Sequence, residues 1–328
     1  MIQKAITIMK CSRVFSLPMT IMSWLIIFTF SLIDSGNIWY GLIALVGLCF
    51  AHLGTNLLDD FCDYKSLIKQ VNFDKKEYLK NSQKTKCRYI ISGIMNESEI
   101  LNTIALYFLV ACLIGLFLFY KCGIGVAYFA GIGAIIALLY PLASRIYLSE
   151  IMVALAYGPA LFGGVYYVMT GTYSKEVFIL AIPSMIMTVV LLYIHTVMDY
   201  HFDLGENKKT LANFFNSQLE SLKVLKIFLI LAYISVIFLC IFDILDWQIF
   251  GVYLTIPIAI NLYDSLKEYT VYNNSIPAKK WYHFPMENLN SLKNIEEKSF
   301  MFRMLQARNL MLYFSILFII GIFLSLAI

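Results

Sequence analysis

Long apolar segments separated by polar connections run through the chain from residue 14 onward. A helix needs about 20 mostly apolar residues to cross the hydrocarbon core of a membrane. Nine segments meet this requirement, with bounds uncertain by about 2–4 residues. We therefore predict an all-α integral membrane protein whose nine transmembrane helices form a bundle around a cavity. The predicted helices are Val14–Ile33, Ile38–Leu58, Ile104–Tyr120, Cys122–Leu139, Ile151–Thr170, Val177–Val197, Ile227–Phe242, Trp247–Tyr263 and Asn309–Ile328.

The composition excludes a soluble globular protein. Hydrophobic residues make up 60% of the 328 residues and charged residues 14%, with a mean hydropathy of +0.75. Soluble domains are about 45–50% apolar and about 25% charged. The net charge of +4 is small and the basic residues form no nucleic-acid face, so we expect no nucleic acid partner. The 7 scattered cysteines contain no C-x-x-C pair and indicate neither a disulfide framework nor a zinc site.

The positions of the basic residues predict the orientation in the membrane. Lys and Arg concentrate in the cytoplasmic segments of membrane proteins. With the N-terminus inside, all of the 25 Lys and Arg residues except Lys121 and Lys175 fall on the cytoplasmic side. We expect a cytoplasmic N-terminus and an outside C-terminus, in the inner membrane of a bacterial cell.

Three long connections fall on the predicted cytoplasmic side. We predict one domain over residues 1–328, with loops at about 59–99 and 199–223 that cap the mouth of a cavity. A further long loop covers about 264–308, and its sequence indicates no function. These connections are polar enough to be ordered caps or mobile linkers.

Two acidic motifs follow the second and sixth predicted helices. Asn56, Asp60 and Asp63 are spaced four and three residues apart, which places them on one helix face, and Asp199 and Asp203 are four apart. Mg²⁺ prefers oxygen ligands and binds through one or two carboxylates together with substrate phosphates. We predict that these five residues bind Mg²⁺ and that the four aspartates are catalytic, on a substrate that carries a diphosphate. The alternative is that they are helix-end residues solvated by the cytoplasm.

Basic residues and a histidine accompany the two motifs. Arg88, Lys208 and Lys209 follow them and are candidates to bind phosphate oxygens, Arg88 in bidentate fashion. The alternative is ordinary cytoplasmic positive charge. His195 lies one helical turn before Asp199. A supporting hydrogen bond at the substrate site is favoured over metal ligation, because histidine is a poor Mg²⁺ ligand. The role of the neighbouring Asp59 stays open.

Taken together, these motifs resemble the UbiA superfamily of intramembrane prenyltransferases. Its members have nine helices, two cytoplasmic Asp-rich motifs and a lipid-open cavity. The branch that the chain resembles most is 1,4-dihydroxy-2-naphthoate polyprenyltransferase of menaquinone synthesis. The patterns of that branch are N-x-x-x-D-x-x-D at Asn56, Asp60 and Asp63, R-x-x-x-S-G at Arg88, Ser92 and Gly93, and D-x-x-x-D-x-x-x-G-K-x-T-L at Asp199, Asp203, Lys208, Thr210 and Leu211.

The resemblance implies Mg²⁺-dependent transfer of a polyprenyl group from polyprenyl diphosphate to an aromatic quinone precursor, with 1,4-dihydroxy-2-naphthoate as the first candidate and demethylmenaquinone as its product. It also implies that Arg145 takes the place of a substrate-binding arginine expected before Glu150. The implied partners are the two substrates and membrane lipid, and no protein partner is indicated. Another acceptor (4-hydroxybenzoate, a haem precursor or a glycerol phosphate) remains open. A transporter is disfavoured, because its acidic residues would lie near the bilayer midplane.

Overall fold

The computed structural model describes residues 2–70, 73–80, 87–205, 208–272, 275–289, 292 and 294–326, and within these ranges it is helical without strands. Short 3-10 segments lie at Val14–Ser16, Leu211–Phe214, Trp247–Thr255 and Trp281–His283, and a π-helical turn lies at Ala156–Ala160. The α-helices are α1 (Ile2–Cys11), α2 (Leu17–Ile33), α3 (Ile38–Leu67), α4 (Lys75–Lys80), α5 (Arg88–Ile91), α6 (Glu97–Cys122), α7 (Gly125–Ala143), α8 (Ser149–Leu155), α9 (Leu161–Thr170), α10 (Lys175–Met198), α11 (Tyr200–Gly205), α12 (Gln218–Ile241), α13 (Ile256–Val271) and α14 (Ile295–Leu326).

Nine helical segments in the described ranges are long and apolar enough to cross a membrane, which confirms the predicted fold class. The fifth joins α8, the π-helical turn and α9, and the eighth joins a 3-10 segment to α13. The nine segments are Val14–Ile33, Ile38–Leu67, Glu97–Cys122, Gly125–Ala143, Ser149–Thr170, Lys175–Met198, Gln218–Ile241, Trp247–Val271 and Ile295–Leu326.

Several helices extend beyond their apolar segments. The second continues past Leu58 to Leu67, and the last begins at Ile295 rather than Asn309. Hydropathy marks where a helix leaves the hydrocarbon, whereas backbone hydrogen bonding continues through the polar residues that follow. The first acidic motif therefore lies on α3 itself, and only part of the predicted loop at 59–99 is a loop.

The start of α3 is fixed by its own sequence. The side chain of Asn37 accepts hydrogen bonds from the backbone N–H groups of Trp39 and Tyr40, which have no partner within the helix. From this cap the helix runs without interruption to Leu67, so the acidic motif has the backbone of a continuous 30-residue helix. Its side chains therefore keep fixed spacings along one face.

A second hydrophobic cluster holds α4 and α5 beside the acidic end of α3. Leu57 on α3, Ile91 on α5 and Ile100 on α6 are buried in it, together with Tyr78 from α4. Burial of this apolar surface keeps the segment around residues 87–95 against the motif. We call this end of the bundle, where the acidic residues of α3 lie, the motif end.

The described part of the connection between α13 and α14 is held against α14 by hydrogen bonds. The fully buried Arg303 donates hydrogen bonds to the carbonyl oxygens of Ser265 (2.8 Å) and Ser275 (2.9 Å). Asn309 donates to the carbonyl oxygen of His283 at 2.6 Å. Burial, followed by the nearby Lys280, lowers the pKa of His283, which favours its neutral form. The described part of this connection is thus an ordered element.

Candidate functional site

Asp60 lies at the centre of the motif end and is only 2% exposed. Its carboxylate forms an ion pair with Arg13, which immediately precedes the first membrane segment. Tyr89 donates to its second oxygen at 3.3 Å, and the thiol of Cys87 donates to its backbone carbonyl at 3.1 Å. Residues from the N-terminal segment and from α5 therefore meet at one carboxylate of α3.

Asp63, one turn further along α3, is also buried and has two basic neighbours. Lys208 Nζ lies 2.7 Å from Oδ2, and Arg145 Nη2 lies 3.4 Å from Oδ1. Arg145 also donates to the carbonyl oxygen of Cys62 at 3.0 Å. Lys208 belongs to the segment of the second acidic motif, so this contact joins the two motif segments directly.

Electrostatics at Asp60 favour the charged pair. Burial alone would lower the pKa of Arg13, but the carboxylates of Asp60 and Asp59 outweigh it and raise that pKa above its ordinary value. Burial and then the charge of Asp60 raise the pKa of Tyr89, so its phenol keeps its proton and acts as a donor. The site thus holds a carboxylate, a guanidinium and a protonated phenol in contact.

Asn56 is oriented by the N-terminal segment. Its Nδ2 donates to the carbonyl oxygen of Ser12 at 3.3 Å and to the hydroxyl oxygen of Ser16 at 3.1 Å. Because both hydrogens of the amide are used on that side, Oδ1 lies on the other side of the carboxamide. That oxygen is the atom a cation would bind.

The second motif has a more local structure. Asp199 ends α10 and is half-buried, with its Oδ2 3.2 Å from Nδ1 of His195, one turn earlier in the same helix. Asp203 is buried on the short helix α11, and its carbonyl oxygen accepts from the N–H of Lys208 at 2.9 Å. The side chain of Lys208 reaches Asp63 on α3. The predicted proximity of His195 and Asp199 is thus present.

Two predicted phosphate ligands have other surroundings. Arg88 is half-buried beside Tyr89, and its guanidinium donates to the carbonyl oxygen of Leu79 at 2.7 Å. Lys209 has an exposed side chain, while its carbonyl oxygen accepts from the N–H of Tyr147 at 2.8 Å. Among the residues the structure describes, no three or more His, Cys, Asp or Glu side chains lie together as a metal-binding group.

Sequence reasoning missed Arg13 and Tyr89 as members of the site. Arg13 was counted only as positive charge before the first helix, and Tyr89 lies next to the predicted Arg88 without being singled out. Neither residue lies three or four positions from Asp60 in the sequence, so no helical spacing connects them to it. Both reach Asp60 only through packing.

A further polar group that the sequence did not reveal lies deeper in the bundle, next to Asn56. His52, one turn before Asn56 on α3, lies 2.8 Å from Ser16 Oγ, 2.5 Å from Thr20 Oγ1 and 2.7 Å from the hydroxyl of Tyr157. The available signal was the four-residue spacing of His52 and Asn56, which places both on one helix face.

The geometry defines a polytopic helical membrane protein with a buried, highly charged site at one end of its bundle. The profile of the UbiA prenyltransferase family matches residues 16–290, which is most of the chain. The chain therefore belongs to this family and is a prenyltransferase. No curated protein matches its sequence.

Solved structures share the fold at low sequence identity. A digeranylgeranylglyceryl phosphate synthase is similar with a TM-score of 0.57 and 15% identity, over 98% of this chain and 99% of that one. A UbiA homolog from Archaeoglobus fulgidus bound to GPP and Mg²⁺ has a TM-score of 0.57 and 11% identity, over 95% and 99%. An apo UbiA homolog from Aeropyrum pernix K1 has a TM-score of 0.57 and 16% identity, over 77% and 90%.

Proposed function

We propose that the chain transfers a polyprenyl group from polyprenyl diphosphate to an aromatic quinone precursor, 1,4-dihydroxy-2-naphthoate, in a Mg²⁺-dependent reaction of menaquinone synthesis. The observation that carries this proposal is the contact between Asp63 and Lys208, which joins the segments of the two acidic motifs at 2.7 Å. A diphosphate bound there would have carboxylates on both sides and basic side chains within reach. The whole chain acts as one prenyltransferase domain.

The residues at the motif end fit Mg²⁺ by their donor chemistry. Asp60, Asp63, Asp199 and Asp203 supply carboxylate oxygens, and the oriented amide of Asn56 supplies a neutral one. Mg²⁺ keeps few protein ligands and takes the rest from phosphate and water, so a diphosphate would complete the coordination. Bound Mg²⁺ would stabilise the negative charge of the diphosphate as it leaves.

The basic residues would serve the diphosphate itself. Lys208 and Arg145 already lie at Asp63, and Arg88 and Lys209 are carried by adjacent segments. In the proposed reaction the C–O bond of the allylic diphosphate breaks, and a ring carbon of the acceptor forms a bond to the allylic carbon. The bond between the ring and the carboxylate of the acceptor breaks, its electron pair stays with the ring, and CO₂ leaves. Exclusion of water from the site would protect the allylic cation. Positioned cations lower the barrier because negative charge grows on the diphosphate.

The proposed site faces the cytoplasm from a bacterial inner membrane. The Lys and Arg distribution supports this orientation, since the connections at the motif end hold nearly all of the 25 basic residues. Labelling with a membrane-impermeant maleimide tests it, using Lys69→Cys at the motif end and Thr172→Cys at the opposite end in a background without the native cysteines. In intact cells only the second position should react, and labelling of Lys69→Cys alone would reverse the orientation.

A transfer assay tests the function. Membranes that contain the protein receive a radiolabelled prenyl diphosphate, Mg²⁺ and either 1,4-dihydroxy-2-naphthoate or 4-hydroxybenzoate, with EDTA as the control. We expect a prenylated, decarboxylated naphthoquinol whose formation stops on chelation. A product only from hydroxybenzoate would move the enzyme to another pathway, and no metal-dependent product from any acceptor would refute the proposal.

A glycerol phosphate acceptor is the second candidate, because one similar structure is a digeranylgeranylglyceryl phosphate synthase. The same assay with a prenylated glycerol phosphate distinguishes the two by product mass. Purified protein in detergent distinguishes both from a transporter, since consumption of the donor needs no membrane gradient.

A further inference from the structure

Four side chains form a polar group inside the bundle, one to two helical turns from the acidic motif. His52 on α3, Ser16 and Thr20 at the start of the first membrane segment, and Tyr157 in the π-helical turn contact one another. Asp60 lies two turns beyond His52, about 12 Å along the helix at 1.5 Å per residue. This interval exceeds the length of a bicyclic aromatic ring and would leave room for a diphosphate between the ring and Asp60.

The side chains of this group face neighbouring helices; Ser16, His52 and Tyr157 retain accessible surface, whereas Thr20 is only 2% exposed. His52 and Tyr157 are half-buried although their polar atoms contact other helices rather than the outside of the bundle. Their contacts join the first, second and fifth membrane segments. Tyr157 is placed there by a π-helical turn, a feature often found at functional sites.

Ser16 fixes the tautomer of His52. The Ser16 hydroxyl donates to the carbonyl oxygen of Arg13 at 2.8 Å, so its oxygen is an acceptor toward Nε2 of His52 at 2.8 Å. Asn56 donates to the same oxygen at 3.1 Å, which fills its second electron pair. His52 therefore carries its hydrogen on Nε2 and presents an electron pair on Nδ1.

Counting the remaining hydrogens shows what the group offers to a ligand. Nδ1 of His52 accepts one hydrogen bond, and Thr20 Oγ1 and the Tyr157 hydroxyl lie 2.5 and 2.7 Å from it and 3.1 Å from each other. When one hydroxyl donates to Nδ1, the other can donate to its neighbouring oxygen at 3.1 Å. Both hydroxyl hydrogens are then used, and only electron pairs on the two oxygens remain. In this arrangement the group accepts hydrogen bonds from a ligand.

We propose that Thr20, His52 and Tyr157 form the binding subsite for a free ring hydroxyl of the aromatic acceptor. This inference rests on the proposed function and adds the residues that recognise the acceptor. A ligand matching the subsite presents a hydrogen-bond donor to it. In 1,4-dihydroxy-2-naphthoate the 1-hydroxyl bonds to its own adjacent carboxylate, which leaves the 4-hydroxyl as the free donor. Held there, the ring extends toward Asp60 and the bound diphosphate.

Equilibrium binding to the purified full-length protein tests the subsite without turnover. The probes are 1,4-dihydroxy-2-naphthoate and its 4-methyl ether. Binding of each probe is measured from its fluorescence under anaerobic conditions. We expect the unmodified protein to bind the hydroxyl form about five- to tenfold more tightly than the ether, as expected for one hydrogen bond of about 1 kcal/mol. In Tyr157→Phe and Thr20→Val this preference should fall to about twofold or less.

The ratio of the two affinities separates recognition from structural support. A residue that only stabilises the bundle would weaken both ligands together and leave the ratio unchanged, and that result in both variants would overturn the subsite. Failure of the unmodified protein to prefer the hydroxyl form would also overturn it. Tyr166→Phe is the matched control: Tyr166 lies on the same membrane segment, but its hydroxyl donates to Asp34 at 2.9 Å at the opposite end of the bundle.

Parallel kinetics keep this inference distinct from the proposed function. One outcome supports both the proposed function and the subsite: the unmodified protein makes prenylated product, and Tyr157→Phe raises the KM for the acceptor about fivefold without changing the KM for the donor. If transfer occurs and the variants leave the acceptor preference intact, the subsite alone fails. If no naphthoate product forms, the proposed function fails.

Discussion

The two acidic motifs resemble each other in sequence and differ in structure. In the first, Asp60 and Asp63 lie on one continuous helix, are buried, and contact basic side chains from three separate parts of the chain: Arg13, Arg145 and Lys208. In the second, Asp203 is also buried, whereas Asp199 lies at a helix end, is half-buried, and pairs with His195 in the same helix.

The difference indicates unequal roles. The first motif is held by tertiary contacts, so its carboxylates have positions fixed before substrate arrives, which favours electrostatic catalysis. In the second, the N–H of Lys208 donates to the carbonyl oxygen of Asp203 at 2.9 Å, and the Lys208 side chain contacts Asp63. We infer that the first motif supplies the fixed half of the site and that the half-buried Asp199 supplies a less constrained carboxylate.

The largest expected effect is at Asp60. Asp60→Asn keeps the side-chain volume and removes the charge, and we expect a loss of at least about 100-fold in kcat, the range seen when one preorganised electrostatic group is removed. Asp34→Asn at the opposite end of the bundle is the control and should stay within twofold. The measurement is prenyl transfer by membranes with matched protein content. Near-normal activity of Asp60→Asn would contradict a site built on the first motif.

The next effect separates two adjacent lysines. The Lys208 side chain is 15% exposed and pairs with the buried Asp63, whereas the side chain of Lys209 is exposed. Lys208→Met removes one of the two positive charges beside Asp63. We expect the KM for the donor to rise about tenfold and the midpoint of thermal unfolding to fall. Lys209→Met should change the KM less than about threefold, because exposed charges contribute little. Equal effects of the two variants would show that the contact with Asp63 does not distinguish them.

Arg13 offers a test of metal binding. Arg13→Gln removes the guanidinium that pairs with Asp60 and leaves the negative charge at the motif end less neutralised. We expect half-maximal activity at several-fold lower Mg²⁺ because the carboxylate attracts the cation more strongly. Titration of activity against Mg²⁺ measures this shift. Lys10→Gln, in the same segment, is the control, and an unchanged Mg²⁺ titration in Arg13→Gln would place Asp60 outside the metal site.

The smallest effect is at the second motif. Both members of the His195 and Asp199 pair are partly exposed, with 44% and 28% of their side-chain surface accessible. Such a pair contributes about 0–1 kcal/mol, so His195→Asn should reduce turnover by no more than about fivefold. Steady-state kinetics check this. A loss as large as that of Asp60→Asn would remove the proposed inequality between the motifs.

Much of this arrangement was predictable from local patterns. The apolar segments identified nine membrane helices because a span of hydrocarbon requires a fixed length of apolar side chains. The spacing of Asn56, Asp60 and Asp63 identified a common helix face because the α-helix repeats every 3.6 residues. The bounds were less accurate: hydropathy ended the second helix at Leu58, although its hydrogen bonding continues to Leu67.

Contacts between distant segments were not predictable in this way. Arg13, Tyr89 and Tyr157 carry no motif, and each reaches its partner through the packing of separate helices. A single sequence records spacing along the chain and contains no measure of distance between segments. The contact of Arg88 with Leu79 shows the same limit, because the carbonyl oxygen that its guanidinium reaches lies in α4, nine residues earlier in the chain.

The sequence alone determined the helical membrane architecture and the residue types that give the site its chemistry, because both depend on composition and on the period of one helix. Tertiary structure alone decided which cation neutralises each carboxylate, and that His52, Thr20 and Tyr157 converge inside the bundle. These contacts depend on how the helices pack against one another, and that packing is determined jointly by residues far apart in the chain.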